Sequence, residues 1–204
     1  DTKEKVVAKL YFKYGAMGSS KTANALITKF NYEERGMKVL LVKPSTDNRD
    51  GATTVRSRIG LTAEAITVAE SVNLYDLYKN EYNECNVIIV DECQFLHPDQ
   101  VDQLSQVVMD YNIPVLCFGL STDFQTHLFP GSKRLFEIAD SIGEIKSVCK
   151  CGDKATVNAR IDGQGNVVYT GAQVCIGGNE SYVAMCKKCW LKAKVDQEAR
   201  GIYT

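Results

Sequence analysis

The stretch "YGAMGSSKTA", Tyr14 to Ala23, sets a lysine and a threonine behind a glycine at the spacing used to hold phosphate. A phosphate loop runs Gly, four residues, then Gly-Lys-Ser/Thr. Gly15, Lys21 and Thr22 fall in register, and Ser20 takes the place of the second glycine. Such a loop would surround phosphates with backbone N–H groups at a positive helix end. Lys21 would meet the β- and γ-phosphates and Thr22 would offer its hydroxyl to Mg²⁺. The same residues also fit a plain helix start, with Ser19 or Ser20 as N-cap and Lys21 in solvent. A second site has to separate the two readings.

That site is "VIIVDECQF", residues 87–95. An apolar strand ending in aspartate is what a Mg²⁺ site beside a phosphate loop requires, and Asp91 fits. Glu92 follows it, and in extended chain it points to the opposite side. One carboxylate then faces the metal and the other the attacking group. Phosphoryl transfer passes through a loose transition state, so placement and charge neutralisation do most of the catalysis and a carboxylate base suffices. Two solvated acids at a strand end are the alternative, and the upstream loop weighs against it.

A third cluster is made of sulfur. Cys149-Lys-Cys151 and Cys186-Lys-Lys-Cys189 are separated by 34 residues. Two close cysteine pairs joined by a hairpin match a tetrahedral Cys₄ zinc site, which leaves no open coordination position and is therefore structural. Free thiols or a redox pair are the other reading. Cys85, Cys93, Cys117 and Cys175 lie in or beside apolar runs and read as small core residues. His97 and His127 show no ligand spacing.

The elements that must position these groups alternate. "AKLYFKY" (8–14), "VLLVKP" (39–44), "VIIVDE" (87–92) and "VLCFGL" (115–120) are unalternated apolar runs, as strands covered on both faces require. A helical face of Ala23, Leu26, Ile27 and Phe30 follows the loop, and Gly36 ends it. The polar stretch 45–63, with Arg49, Arg56 and Arg58, reads as a mobile loop. Helical patterns return at 73–82 and in "HPDQVDQLSQVVMDYN", where Pro98 stands early. The expected fold is α/β, a RecA-like P-loop parallel sheet flanked by helices. The pattern changes near residue 147, where "ATVNARI" and "NVVYT" flank a "DGQG" turn. The expected division is a nucleotide-binding domain over 1–147, a zinc-stapled lobe over 148–192 and a C-terminal tail over 193–204.

With 204 residues, 45% of them hydrophobic, and a net charge of −1, the chain suits a globular protein and presents no general basic field. No apolar run reaches the eighteen or so residues that span a bilayer, and "DTKEKVVAKL" lacks a signal peptide's apolar stretch. The expectation is a cytoplasmic protein with no nucleic-acid or membrane partner.

"YGAMGSSKT", "STDNR", "VIIVDECQF", "GLSTDFQTHLF", "CKCG", "IGGNESY" and "CKKC", in that order, resemble thymidine kinases of the zinc-containing P-loop type. The resemblance implies transfer of the γ-phosphate of ATP to the 5′-hydroxyl of thymidine. It makes Glu92 the general base. It assigns ATP to Gly15, Ala16, Met17, Gly18, Ser19, Ser20, Lys21 and Thr22, completed by Asp91, Glu92, Cys93 and Gln94. Asp47 would help hold magnesium or the water next to the phosphate, and Arg49 would neutralise developing charge. Met17, Leu120, Phe124 and Phe129 would line the base pocket. Ile176 and Tyr182, in the loop "CIGGNESY", would contact the nucleoside as that loop folds over it. Family members commonly form tetramers, and the same is expected here.

Four positions depart from the family pattern. Ser20 replaces glycine, Ala16 a frequent proline, Ala23 a frequent hydroxyl residue, and Asp50 an aromatic. Two other functions remain compatible with the motifs. One is a helicase-like ATPase stimulated by nucleic acid, since Asp-Glu-x-Gln also marks such cores. The other is a zinc-stapled module that binds nucleotide without turnover.

Overall fold

The computed structural model describes residues 7–45, 53–174 and 181–204. The chain enters through β1 (Leu10–Tyr14), turns through the glycine-rich loop into α1 (Lys21–Glu33), and returns as β2 (Val39–Pro44). A hairpin of β3 (Thr54–Arg56) and β4 (Thr62–Glu64) precedes β5 (Ile66–Val68). Next come α2 (Leu74–Leu77), running on as a π-turn over Tyr78–Tyr82, then β6 (Val87–Val90), α3 (Pro98–Tyr111) and β7 (Val115–Gly119). α4 (Pro130–Ile138) and β8 (Ser141–Glu144) close this part.

Six strands form one sheet in the order β5-β2-β6-β7-β1-β8, parallel throughout. β7 lies between the strand that feeds the loop and the strand that ends in acid. Their carboxyl ends therefore open on one edge, the RecA-like P-loop arrangement. Alternate residues go to opposite faces. Leu40, Val42, Ile88 and Val90 pack with α2, α3 and α4, while Leu41, Val87, Ile89 and Phe118 pack with Ala25 and Leu26 of α1. Burial on both faces is why the strands read as unbroken apolar runs.

Local rules account for the helix ends. The His97 ring accepts from Asp99 N–H, and the Gln100 side chain accepts from His97 N–H, a capping box with Pro98 behind it. His97 is thus a helix cap. The α1 face differs from expectation. Ala23, Ala25 and Leu26 are buried, but Ile27 and Phe30 are exposed. The 45–63 stretch is also corrected. Within its described part, residues 45 and 53–63, β3 pairs with the start of β4, and Val55 is buried against α1.

Beyond β8 the architecture is antiparallel. β9 (Ser147–Val148) pairs with β10 (Lys154–Ala155), and β11 (Val157–Ile161) lies between β12 (Val167–Val168) and β13 (Ser181–Met185). β11 and β12 are the expected hairpin. α5 (Lys187–Ala199) follows, and the 193–204 segment returns to the lobe through Gln197 and Thr204, both bonded to Val167.

Candidate functional site

β1 delivers the chain to Gly15, whose N–H donates to Gly119 O at 3.3 Å. A Cβ at Gly15 would lie 2.3 Å from Ile145 O and 2.5 Å from Ser19 Oγ, so the loop closes only around glycine. Ser20 stands at the N-cap position of α1 with φ 61° and ψ 27°, and its side chain caps nothing. The plain-cap reading of Ser20 fails on that observation. Its left-handed backbone is the conformation for which glycine is ordinarily chosen. Lys21 Nζ curls back to Ala16 O at 2.9 Å and Ser19 Oγ at 3.2 Å. Burial pushes its ammonium below the ordinary lysine value, opposed by the charges of Glu92 and Asp91 and reinforced by that of Arg58. An anion beside Lys21 would restore it.

Thr22 Oγ1 donates to Asp91 at 3.0 and 3.3 Å to the two carboxylate oxygens, joining loop and acidic strand directly. Glu92 corrects the sequence reading. It is not in extended chain but at φ 54°, ψ 40°, and this left-handed turn brings both carboxylates to the same cleft. Non-glycine residues in this conformation cost about 1–2 kcal/mol and cluster where geometry serves function.

Glu92 has a support that spacing did not reveal. Gln94 Nε2 donates to Glu92 Oε2, and Gln94 Oε1 accepts from Leu120 N–H at 3.1 Å. Gln94 is 1% exposed. The contact needs Gly119, where a Cβ would sit 2.5 Å from Gln94 Oε1 and 2.7 Å from Cys93 Sγ. Cys93 is fully buried, and burial raises its thiol well above the usual range. Of the expected Asp91–Gln94 set, Asp91 and Glu92 line the cleft, and Cys93 and Gln94 stand behind them.

The cleft measures about 530 Å³. It is lined by Met17, Gly18 and Ser20–Ala23 of the loop and α1, by Asp91, Glu92 and Leu120, and by Lys43 with Thr54–Ile59. Arg58 Nη2 lies 3.9 Å from Met17 Sδ, and Lys43 Nζ donates to Thr54 O at 2.8 Å. β2 and the polar hairpin thus bring Lys43, Arg56 and Arg58 into the same cleft as the loop, a suitable lining for a polyphosphate.

The expected nucleoside residues divide. Met17 and Leu120 line the cleft. Phe124 and Phe129 are buried outside its lining, Phe129 edge-on to Phe95 at 5.6 Å. Arg160, which carried no motif signal, lies 3.7 Å over the Phe124 ring. It also donates to Tyr182 Oη at 2.9 Å and to the carbonyls of Ala172 and Gln173 at 2.9 and 3.2 Å. Asp47, Arg49 and Ile176 lie outside the described residues.

The four cysteines converge. Their sulfurs all lie within 4.8 Å of one another, and Cys151 Sγ is 3.6 Å from Cys186 Sγ. Zn–S bonds of about 2.3 Å place tetrahedral sulfurs about 3.8 Å apart, so this donor set fits zinc. Cys189 N–H donates to Cys186 Sγ at 3.4 Å, and the amide of Cys151, then that of Cys186, lowers the Cys149 thiol to about 6, while contact with the sulfurs of Cys151 and Cys186 raises that of Cys189 to about 12. Amides aimed at sulfur favour the thiolate that a metal requires.

The thymidine kinase family model matches residues 8–190. The chain belongs to the thymidine kinase family. The thymidine kinase of Zymomonas mobilis is 47% identical over 188 residues, covering 91% of this chain and 97% of that one. That of Enterobacteria phage T4 is 46% identical over 186 residues, 90% and 96% of the two chains. That of Ruegeria pomeroyi is 44% identical over 197 residues, 96% and 100%. Among solved structures, the Pif1 helicase of Candida albicans has a TM-score of 0.40 at 14% identity, covering 69% of this chain and 36% of that one. That likeness is too loose to bear on activity, and nothing else favours the helicase-like reading.

Proposed function

We propose that this thymidine kinase family member transfers the γ-phosphate of ATP to the 5′-hydroxyl of thymidine in the cleft between Lys21 and Glu92. The observation that carries this reading is the convergence of loop, Thr22–Asp91 pair and Glu92 on one cavity. The loop amides and Lys21 take the triphosphate. Lys21, with Arg49 from the neighbouring stretch, offsets charge on the transferring group. Glu92, steadied by Gln94, accepts the 5′-hydroxyl proton as the new P–O bond forms and ADP leaves. Thr22 and Asp91 supply the hydroxyl and carboxylate that would hold Mg²⁺, which when bound neutralises phosphate charge. Met17, Leu120, Phe124, Phe129, Ile176 and Tyr182, with Asp47 near the phosphates, make up the nucleoside side.

On the same reading, residues 1–147 are the nucleotide-binding domain and 148–192 the lobe stapled by zinc on Cys149, Cys151, Cys186 and Cys189, followed by the 193–204 tail. The lobe carries Tyr182 and roots the loop over the nucleoside, so that water is excluded as a competing nucleophile. No helix among the described residues is long and apolar enough to cross a membrane. We place the protein in the cytoplasm, as a homotetramer without a nucleic-acid partner. The test is radiolabelled γ-phosphate ATP with a panel of nucleosides. Labelled thymidine monophosphate is expected. Label released only as inorganic phosphate, whichever nucleoside is added, contradicts the proposal.

A further inference from the structure

The phosphate loop does not rest on its own strand and helix alone. Ala16 packs against Cys149, Ala155 and Cys186 of the lobe. The next amide, Met17 N–H, donates to Asn158 Oδ1 at 2.7 Å, a contact between residues 141 apart in sequence. Asn158 Nδ2 donates to Thr122 O at 2.8 Å, on the segment that follows β7. Asn158 is 2% exposed and sits on β11, paired with Ala184 of β13 two residues before Cys186. One buried amide thus joins the phosphate loop, the segment after β7 and the strand pair that ends at the sulfur cluster.

The pattern within the loop gives this contact its meaning. The amides of Gly15, Met17 and Ser19 are taken by Gly119 O, Asn158 Oδ1 and Ala16 O. Gly18, Ser20, Lys21 and Thr22 line the cleft at the start of α1, where the first-turn amides have no intrahelical acceptor. Of the three tethers, only the Met17 one ends on a side chain. It is also the only one that comes from the lobe.

We infer that Asn158 is a positioning residue for the nucleotide, holding the Met17 amide so that the loop is already in its phosphate-receiving shape before ATP arrives. A loop shaped in advance spends less binding energy on ordering. Losing one well-formed buried hydrogen bond to it is worth about tenfold in affinity. The inference rests on the cleft being the ATP site, and it goes further in assigning part of that site's affinity to the lobe.

The experiment uses the full zinc-loaded chain, with Asn158→Leu, close in volume but unable to bond, and Asn158→Ser, which leaves room for a bridging water. Calorimetric binding of a non-hydrolysable ATP analogue and of thymidine, amide exchange at Met17, and steady-state kinetics are measured. Asn158→Leu is expected to weaken the analogue about tenfold and Asn158→Ser less, with thymidine, whose side of the cleft also includes Met17, weakened by a clearly smaller factor. KM for ATP rises while kcat at saturation stays within about twofold, the mark of lost uniform binding. Met17 amide exchange accelerates in both variants. Equal weakening of both substrates, unchanged nucleotide affinity, or an unaltered Met17 amide overturns the inference. If Asn158→Leu does not fold, the serine variant decides between the same outcomes by the same measurements. A wild-type chain that binds nucleotide but phosphorylates no nucleoside sinks the proposed function and leaves this inference to be judged on binding alone.

Discussion

The cleft and the cysteine lobe hold their functional groups by opposite means. Around the cleft, strands buried on both faces supply the stability, and the chain tolerates left-handed Ser20 and Glu92 at their carboxyl edge. In the lobe, the described buried apolar residues are few and mostly small: Cys149, Ala155 and Cys186, with Val157, Ala159 and Val167. So small a core holds a fold poorly by itself, and the four convergent sulfurs are the donor set with which zinc would staple it. A site on a large sheet can carry strain, whereas a site on a small lobe needs a bonded staple.

Removing that staple has the largest expected effect. Structural zinc contributes apparent folding energy on the order of 10 kcal/mol in small metal domains. Chelation, or Cys186→Ser, should unfold the lobe while the parallel sheet keeps its own transition, followed by calorimetry and by circular dichroism. A single unchanged transition after verified zinc loss breaks the comparison.

Gln94→Leu tests the cleft in a more local way. It strips Glu92 of its support and leaves Leu120 N–H buried without its acceptor. About 2 kcal/mol of stability should go, with kcat down about tenfold and thymidine KM little changed. A stability loss with untouched kcat shows that Gln94 only fills space.

Ser20→Gly has the smallest effect and the opposite sign. Relief of the left-handed serine should stabilise the chain by about 1 kcal/mol and tighten ATP binding a few-fold, read by thermal melts and nucleotide titration. Weaker or unchanged ATP affinity contradicts the account of that position.

The cleft's polar members were legible because their chemistry is local. Gly15, Lys21 and Thr22 share one short loop, and Asp91 and Glu92 one strand end. The supports were not, because they exist only after folding. The Gly119–Gln94 approach and the Arg160 contacts with Phe124 and Tyr182 join segments distant in sequence. Glu92 reached the cleft by a left-handed turn that side-chain alternation cannot foresee. The β3–β4 hairpin was hidden because Val55 is buried within an arginine-rich polar stretch. The short β8, SIGE, carries too little apolar character to announce itself.

The central claim is that Glu92 takes the proton of the attacking hydroxyl within a nucleotide site that does not depend on it for binding. Its most direct test is Glu92→Gln, with single-turnover phosphorylation of thymidine and nucleotide titration measured on the same preparation. The account predicts a rate at least about a hundredfold lower, with ATP affinity within about threefold of wild type. A variant that phosphorylates thymidine at the wild-type rate would contradict it.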